Sequence, residues 1–223
     1  MIERLTIYGS YSIGVFFLST DKYVLAPHDT PKKTITLLED ILNVNVITTT
    51  VGGSVLIGVL ASGNSNGLLL PYYSSDDELK YLRSQLHINV VRLPSKRTAL
   101  GNIILTNDNA AIVNPNLEVN AKKVISDTLN VDVIPSLIAG FKVVGAVGVA
   151  TNKGCLIHPL ASEEELKNIS NILKVKVDVG TVNAGFPILG VGLVANSNGA
   201  LVGGLTTGPE LAHIEYSLGL VGD

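Results

Sequence analysis

One cysteine in 223 residues, Cys155, has nothing to pair with, which excludes an internal disulfide and fits a reducing cytoplasm. Long apolar runs are missing too. A membrane-spanning helix needs about 18 consecutive apolar residues, whereas stretches such as 141–150 are strand-sized and broken by glycine. The opening residues Met1-Ile2-Glu3-Arg4-Leu5-Thr6 carry a charge pair with no apolar segment behind it, so no secretory signal is expected. A cationic surplus is also absent. The net charge of −3 and pI near 5.8 argue against affinity drawn mainly from neutralising phosphates. Local basic pairs, Lys96-Arg97 and Lys122-Lys123, read as solvated surface. With 46% hydrophobic and 16% charged residues there is ample material for a core, so a globular chain is expected.

Motif-borne chemistry is scarce as well. There is no G-x-x-x-x-G-K-[ST], no H-E-x-x-H and no cysteine pair for zinc. The run Gly190-Val191-Gly192-Leu193-Val194-Ala195 matches a dinucleotide fingerprint on paper. It leads through Asn196 and Gly199 into another apolar stretch, whereas the fingerprint has to open a helix facing a pyrophosphate. No cofactor or metal is therefore expected. His28 and His158 flank equivalent prolines and read as loop-rim residues; His87 and His213 fall in or beside helices. Acidic clusters at Asp76-Asp77 and Glu163-Glu164-Glu165 fit first helical turns, where caps and the macrodipole account for them.

What the chain does have is a repeat. Gly58 to Pro71 reads as an apolar strand, a Gly/Asn turn, a second apolar strand and a proline that ends ladder pairing. Copies run from Gly14 to Pro27, Gly101 to Pro115, Gly145 to Pro159 and Gly190 to Gly203, so the closing positions 27, 71, 115, 159 and 203 are spaced by 44 throughout. After each closing position comes a helix. Thr30-Pro31 reads as cap and first helical residue, and Ser75-x-x-Glu78, Ser162-x-x-Glu165 and Thr207-x-x-Glu210 are capping boxes. Buried stripes follow, such as Leu79, Leu82 and Leu86, and then a period-two segment.

The unit is strand, strand, helix, strand, with 13–18 and 23–26 as the first two strands of the first copy. The fifth copy stops at Asp223, too soon for its last strand, while residues 4–8 stand in front of the first glycine where 47–51 stand in front of the second. The N-terminal segment is therefore expected to pair into the last unit and close a ring, removing an open edge. Residues 1–223 are expected to form a single domain of five repeats. Glycines at the leading positions fit backbone crowding around a central axis more simply than ligand cradling.

Five-repeat α/β rings include enzymes, the amidinotransferase and arginine deiminase group, which use a nucleophilic cysteine. Cys155 is thus the one candidate for such chemistry. It starts an apolar strand, Cys155-Leu156-Ile157, with no base or positive field beside it, and reads as structural.

The chain resembles the archaeal and eukaryotic translation initiation factor 6 family, the large-subunit anti-association factors. The likeness is carried by Ala99-Leu100-Gly101-Asn102, Asn107-Asp108, Gly67-Leu68-Leu69-Leu70-Pro71, His158-Pro159, Gly180-Thr181-Val182-Asn183 and Thr206-Thr207-x-x-Glu210-Leu211. This resemblance implies a five-bladed α/β propeller of the pentein type. It implies a cytoplasmic, monomeric, non-enzymatic protein that binds the large (50S) ribosomal subunit and blocks the small (30S) one. The implied partners are an L14-type ribosomal protein, an L24e-type protein and the sarcin-ricin loop of the large rRNA. The family's docking rim maps to the residue after each leading glycine, here Val15, Val59, Asn102, Ala146 and Val191, of which Asn102 matches most closely. The absence of an extended tail points to the archaeal type. The alternative that the repeat leaves open is a guanidinium-directed enzyme using Cys155.

Overall fold

Five stretches, Tyr23–Pro27, Gly67–Pro71, Ala110–Val113, Gly154–Ile157 and Ala200–Gly203, are buried at every position rather than at alternate ones. A strand of that kind needs cover on both faces. In the computed structural model, which describes residues 1–221, each is the middle strand of a three-stranded sheet. An antiparallel partner lies on one side: Leu18–Ser19, Ser62–Gly63, Ile104–Thr106, Gly148–Ala150 or Leu193–Ala195. A parallel partner lies on the other: Asn45–Thr49, Asn89–Leu93, Asp132–Pro135 or Lys176–Val179. In the fifth sheet that place is taken by Ile2–Leu5, with Ile2 opposite Ala200 and Leu5 opposite Gly203. The N-terminal segment thus completes the last blade, with its strand two to three residues earlier than the expected 4–8 and in step with Asn45–Thr49 one repeat later. Ile7 and Ser10 instead close a tight turn.

Each blade carries one long helix: Lys32–Leu42, Asp76–Leu86, Val119–Leu129, Glu163–Leu173 and Gly208–Ser217. All three capping boxes form, with both reciprocal hydrogen bonds present. The first helix differs from expectation. Pro31 stays extended in the capping position, the helix starts at Lys32, and the buried Thr30 hydroxyl has no partner among the described residues. Four helices end in a left-handed residue, Asn43, His87, Asn130 or Lys174, which turns the chain into the outer strand.

Every helix wedges between its own blade and the preceding one. Leu38, Ile41 and Leu42 share a cluster with Val24 and Ala26 of the first blade and Val194 and Leu201 of the fifth. Ala121, Ile125 and Leu129 pack likewise on Leu69 and Leu93 of the second blade. Five such clusters exist, one per junction, so the fifth blade meets the first as any other pair meets. Middle strands feed two of them alternately: Val24 and Ala26 point into one, Tyr23 and Leu25 into the next. Each fully buried Leu or Ile contributes about 1.5–3 kcal/mol.

The inner strands depart from the sequence reading. Residues around the leading glycines form single helical turns, Ile13–Val15, Ile57–Leu60, Leu100–Ile103 and Leu189–Gly192, with a turn at 144–146 in the fourth blade, and the strands begin only after them. Crowding is the reason. A Cβ on Gly58 would strike the carbonyl oxygen of Gly14, one on Gly101 that of Gly58, one on Gly145 that of Gly101, one on Gly190 that of Gly145, and one on Gly14 that of Gly190. The circuit is complete, and only glycine fits at any of its five points.

At the opposite end of the axis, the inner hairpin turns are stitched to the next blade by asparagine. Asn64 Nδ2 donates to Asn107 O (3.1 Å) and Leu129 O (2.9 Å), and Asn107 Nδ2 to Thr151 O (3.0 Å) and Leu173 O (2.9 Å). Asn196 Nδ2 donates to Thr20 O (3.0 Å) and Leu42 O (2.8 Å) across the closing junction. Leu42, Leu129 and Leu173 end helices, so these bonds satisfy carbonyls that have no partner inside the helix.

Gly58→Ala is expected to lower unfolding stability by about 3 kcal/mol or more, because the clash is with backbone that cannot rotate away. Gly208→Ala, which meets open space at the start of a helix, should stay within about 0.5 kcal/mol of wild type. Urea denaturation midpoints of the two variants check the pair, and a Gly58→Ala protein as stable as Gly208→Ala would contradict the crowded axis.

Candidate docking face

Strand direction sorts the molecule's chemistry into two ends. Because the inner strand runs against the middle one and the outer strand with it, one end of the ring collects the helical turns, the loops after the outer strands and the starts of the long helices. The other collects the hairpin turns and helix ends. Of seven tyrosines and four phenylalanines in the chain, six are exposed at the glycine end: Tyr8, Tyr11, Tyr72, Tyr73, Phe141 and Phe186. Phe16 lies edge-on to Tyr8 at 5.1 Å, and Tyr72 to Tyr73 at 5.5 Å. Leu56, Leu137, Val143, Leu160 and Leu205 add exposed aliphatic surface there. The far end is lined with exposed asparagines, Asn43, Asn45, Asn109, Asn130 and Asn198, together with Met1 and Tyr216, whose ring lies under Lys176 Nζ at 3.8 Å. Apolar side chains gathered at one end of a ring mark a contact surface.

At the centre of the glycine end, a cavity of about 110 Å³ runs down the axis, and Val15, Val59, Asn102 and Val191 line its wall from the helical turns. Four of the five residues singled out in the sequence are thus brought together. The fifth is not. Ala146 is only 8% exposed and does not line the cavity; its N–H donates to Asn102 O (3.2 Å) and its carbonyl accepts from Gly190 N (2.8 Å). Lacking a helical turn, the fourth blade uses that residue's backbone to join its neighbours. Asn102 O also accepts from Gly145 N (3.0 Å), while among the described residues its half-buried side-chain amide has no partner. At the far end the cavity is closed by the hairpin tips. Ser65 donates to Asp108, Ser197 to Asp21, and Asn152 Nδ2 to both carboxylates at 2.7 Å.

Surrounding the cavity mouth are tight turns with left-handed backbone: Tyr8-Gly9, Gly52-Gly53, Ala139-Gly140 and 183–185. Successive left-handed residues aim their N–H groups into a concavity that favours an anion. In three blades the capping-box glutamate occupies it. Glu78 accepts from Gly52 N (3.0 Å), Gly53 N (2.9 Å) and the Thr50 hydroxyl (2.8 Å), besides Ser75 N. Glu165 accepts from Ala139 N (2.8 Å). Glu210 accepts from Ala184 N (3.1 Å), Gly185 N (2.8 Å) and Thr181 Oγ1 (2.8 Å). Desolvation pushes the Glu210 carboxyl up, but the Thr207 and Gly185 N–H groups and the Thr181 and Thr207 hydroxyls outweigh it and hold it at about 2.

Groups that could do bond chemistry are not gathered into a site. Cys155 is fully buried in the middle strand of the fourth blade, and burial drives its thiol far above the ordinary range. His28 is exposed at the glycine end. His158 is buried, its Nδ1 accepting from Leu160 N (3.1 Å) and its ring against Phe141 at 4.9 Å. His87 is a helix-ending left-handed residue, and His213 Nε2 lies 2.7 Å from Val179 O. The sequence reading missed the exposed rings, although Tyr8-Gly9 and Tyr72-Tyr73 stand beside turn signals. It also took the capping glutamates for caps alone.

A profile of the eIF-6 family matches residues 2–217. The translation initiation factor 6 of Pyrococcus abyssi is 45% identical over 187 residues, covering 82% of each chain. That of Methanosarcina mazei is 43% identical over 183 residues with the same coverage. Among solved structures, the N-terminal domain of ArgZ, an arginine dihydrolase from cyanobacteria, aligns at a TM-score of 0.47 and 14% identity over 76% of this chain and 67% of that one, a likeness too loose to carry an argument.

Glu210 gives a pH signature. Its folded value of about 2 lies below the ordinary 4.5, so its contribution is complete above about pH 4.5 and is lost as the pH falls through about 2. Melting temperatures of wild type and Glu210→Gln should converge on acidification across that window; a difference that stays constant from pH 5 to about pH 2 would contradict the assignment.

Proposed function

This chain belongs to the eIF-6 family, and on that premise we propose that it is a translation initiation factor that binds the large ribosomal subunit and keeps the small subunit from joining it. The observation that carries the reading is the segregation of exposed aromatic and aliphatic side chains to the glycine end, around a rim that offers the free amide of Asn102. A surface of that composition fits a protein partner: its rings bury large area, and a rim amide can satisfy backbone groups. The L14-type protein is the anchor, with the L24e-type protein and the sarcin-ricin loop beside it. The net charge of −3 supports a contact that is mainly protein to protein, with RNA touched locally.

Occupying a surface requires a stiff body and no reactive group. Stiffness is supported by five equivalent apolar junctions and an axis where backbones touch. The asparagine end, turned away from the anchor, is polar and keeps its hydration. One body of five repeats acting as a monomer in the cytoplasm is sufficient for this. The enzyme reading through Cys155 is not favoured, because a nucleophile must be reachable and held as thiolate, and this thiol is neither.

Asn102→Ala and Val59→Arg should each weaken co-sedimentation with isolated large subunits by about tenfold or more, the loss expected from a central interface residue, with melting temperature nearly unchanged. Cys155→Ala should inhibit subunit joining as wild type does. Wild-type binding by both rim variants would remove the rim assignment, and failure of the wild-type protein to bind large subunits would remove the function.

A further inference from the structure

We infer that five carboxylates, one per repeat, are the positioning residues of the docking face: Asp29, Glu78, Glu118, Glu165 and Glu210. The inference rests on the docking reading above and adds to it what holds that face in shape. Each carboxylate takes hydrogen bonds from the loop that precedes the helical turn of its own repeat. Glu78, Glu165 and Glu210 bind loop N–H groups as described. In the first repeat the Tyr8 hydroxyl donates to Asp29 at 2.5 Å. In the third, where Lys96-Arg97 replaces the left-handed turn, the Ser95 hydroxyl donates to Glu118 at 2.7 Å and Arg97 lies 3.5 Å from it.

Helix capping does not explain the set. Glu78, Glu165 and Glu210 stand at the third helical position, but Glu118 occupies the capping position itself and makes no cap hydrogen bond, and Asp29 lies before its helix altogether. Three different places in the local sequence deliver a carboxylate to the same kind of loop. What the five share is the loop, not the cap. Four of those loops carry or support exposed rings: Tyr8 is in the first, Gly52 of the second lies against the Tyr73 ring, Phe141 ends the fourth and Phe186 the fifth, while the third presents Lys96 and Arg97 instead. A loop already tied to its scaffold loses little freedom on docking, so its anchors act on binding without touching the partner.

Ser75 separates the two roles of Glu78. Its hydroxyl accepts the Glu78 N–H and caps the helix, whereas the bonds that reach the Glu78 carboxylate come from Ser75 N, Thr50, Gly52 and Gly53. Ser75→Ala therefore removes the cap and leaves the anchor; Glu78→Ala keeps the backbone N–H that the Ser75 hydroxyl accepts and removes the anchor, along with the reciprocal bond to Ser75 N. Both variants should melt earlier than wild type. Only Glu78→Ala should exchange the Gly52 and Gly53 amide hydrogens about tenfold faster and leave isolated large subunits about three- to tenfold faster, as loss of hydrogen bonds to a charged group implies. Glu118→Gln, which touches no capping box, should speed dissociation in the same way with little change in melting, and serves if Glu78→Ala does not fold. Dissociation of Glu78→Ala at the Ser75→Ala rate, or of Glu118→Gln at the wild-type rate, would overturn the anchor role while docking stands. A wild-type protein that does not bind large subunits would overturn the docking reading, and this inference with it.

Discussion

Five backbones meeting at one axis, each carbonyl lying where the next residue's Cβ would be, is the constraint from which the rest of the structure follows. It admits only glycine, and it bends the chain around each glycine into a helical turn before the inner strand can start. Those turns are what carry Val15, Val59, Asn102 and Val191 to the cavity wall. Tight packing at the centre and a shaped rim are therefore one feature seen from two sides. The blades, by contrast, are held by ordinary apolar contact, with each helix filling the crevice against its predecessor.

Closure distributes the load evenly. A five-blade ring left open would expose one middle strand edge and one apolar cluster, both aggregation hazards. Ile2–Leu5 covers the first, and the helix Lys32–Leu42 packed on Leu201 covers the second. The asparagines strengthen three of the five junctions, including the closing one. At the junction of the first and second blades threonine replaces asparagine, and the Tyr23 hydroxyl reaches Gly67 O at 3.2 Å. Between the fourth and fifth blades, Ser217 Oγ donates to Asp178 at 3.1 Å.

The same topology gives the two ends opposite chemistry. Helix starts bring carboxylates to one end, where loop N–H groups need acceptors; helix ends bring carbonyls to the other, where asparagine amides supply donors. Six of the exposed rings gather at the first, where the chain has loops long enough to display them, against Tyr216 at the second. A protein built this way has a sticky end and a hydrated end, the arrangement that occupying another body's surface calls for. Cys155, the residue that would have argued for bond chemistry, is spent on packing in the cluster between the third and fourth blades.

Much of the architecture was legible in the sequence because it depends on neighbours a few residues apart. The 44-residue spacing, the all-apolar middle strands, the boxes at Ser75, Ser162 and Thr207, and the need for the N-terminal segment to complete the last unit are all local patterns or counts. What only the tertiary structure decided involves residues one repeat or more apart. The residues after the leading glycines look equivalent in sequence, yet Ala146 is buried while Asn102 is presented, because the fourth turn hydrogen-bonds through its backbone to blades on either side. Likewise a glutamate at the third helical position announces a cap, but its grip on a loop 25 or more residues earlier is set by how helix and loop meet in space. Short-range patterns fix which elements form; contacts across the ring fix which side chains those elements leave free for a partner.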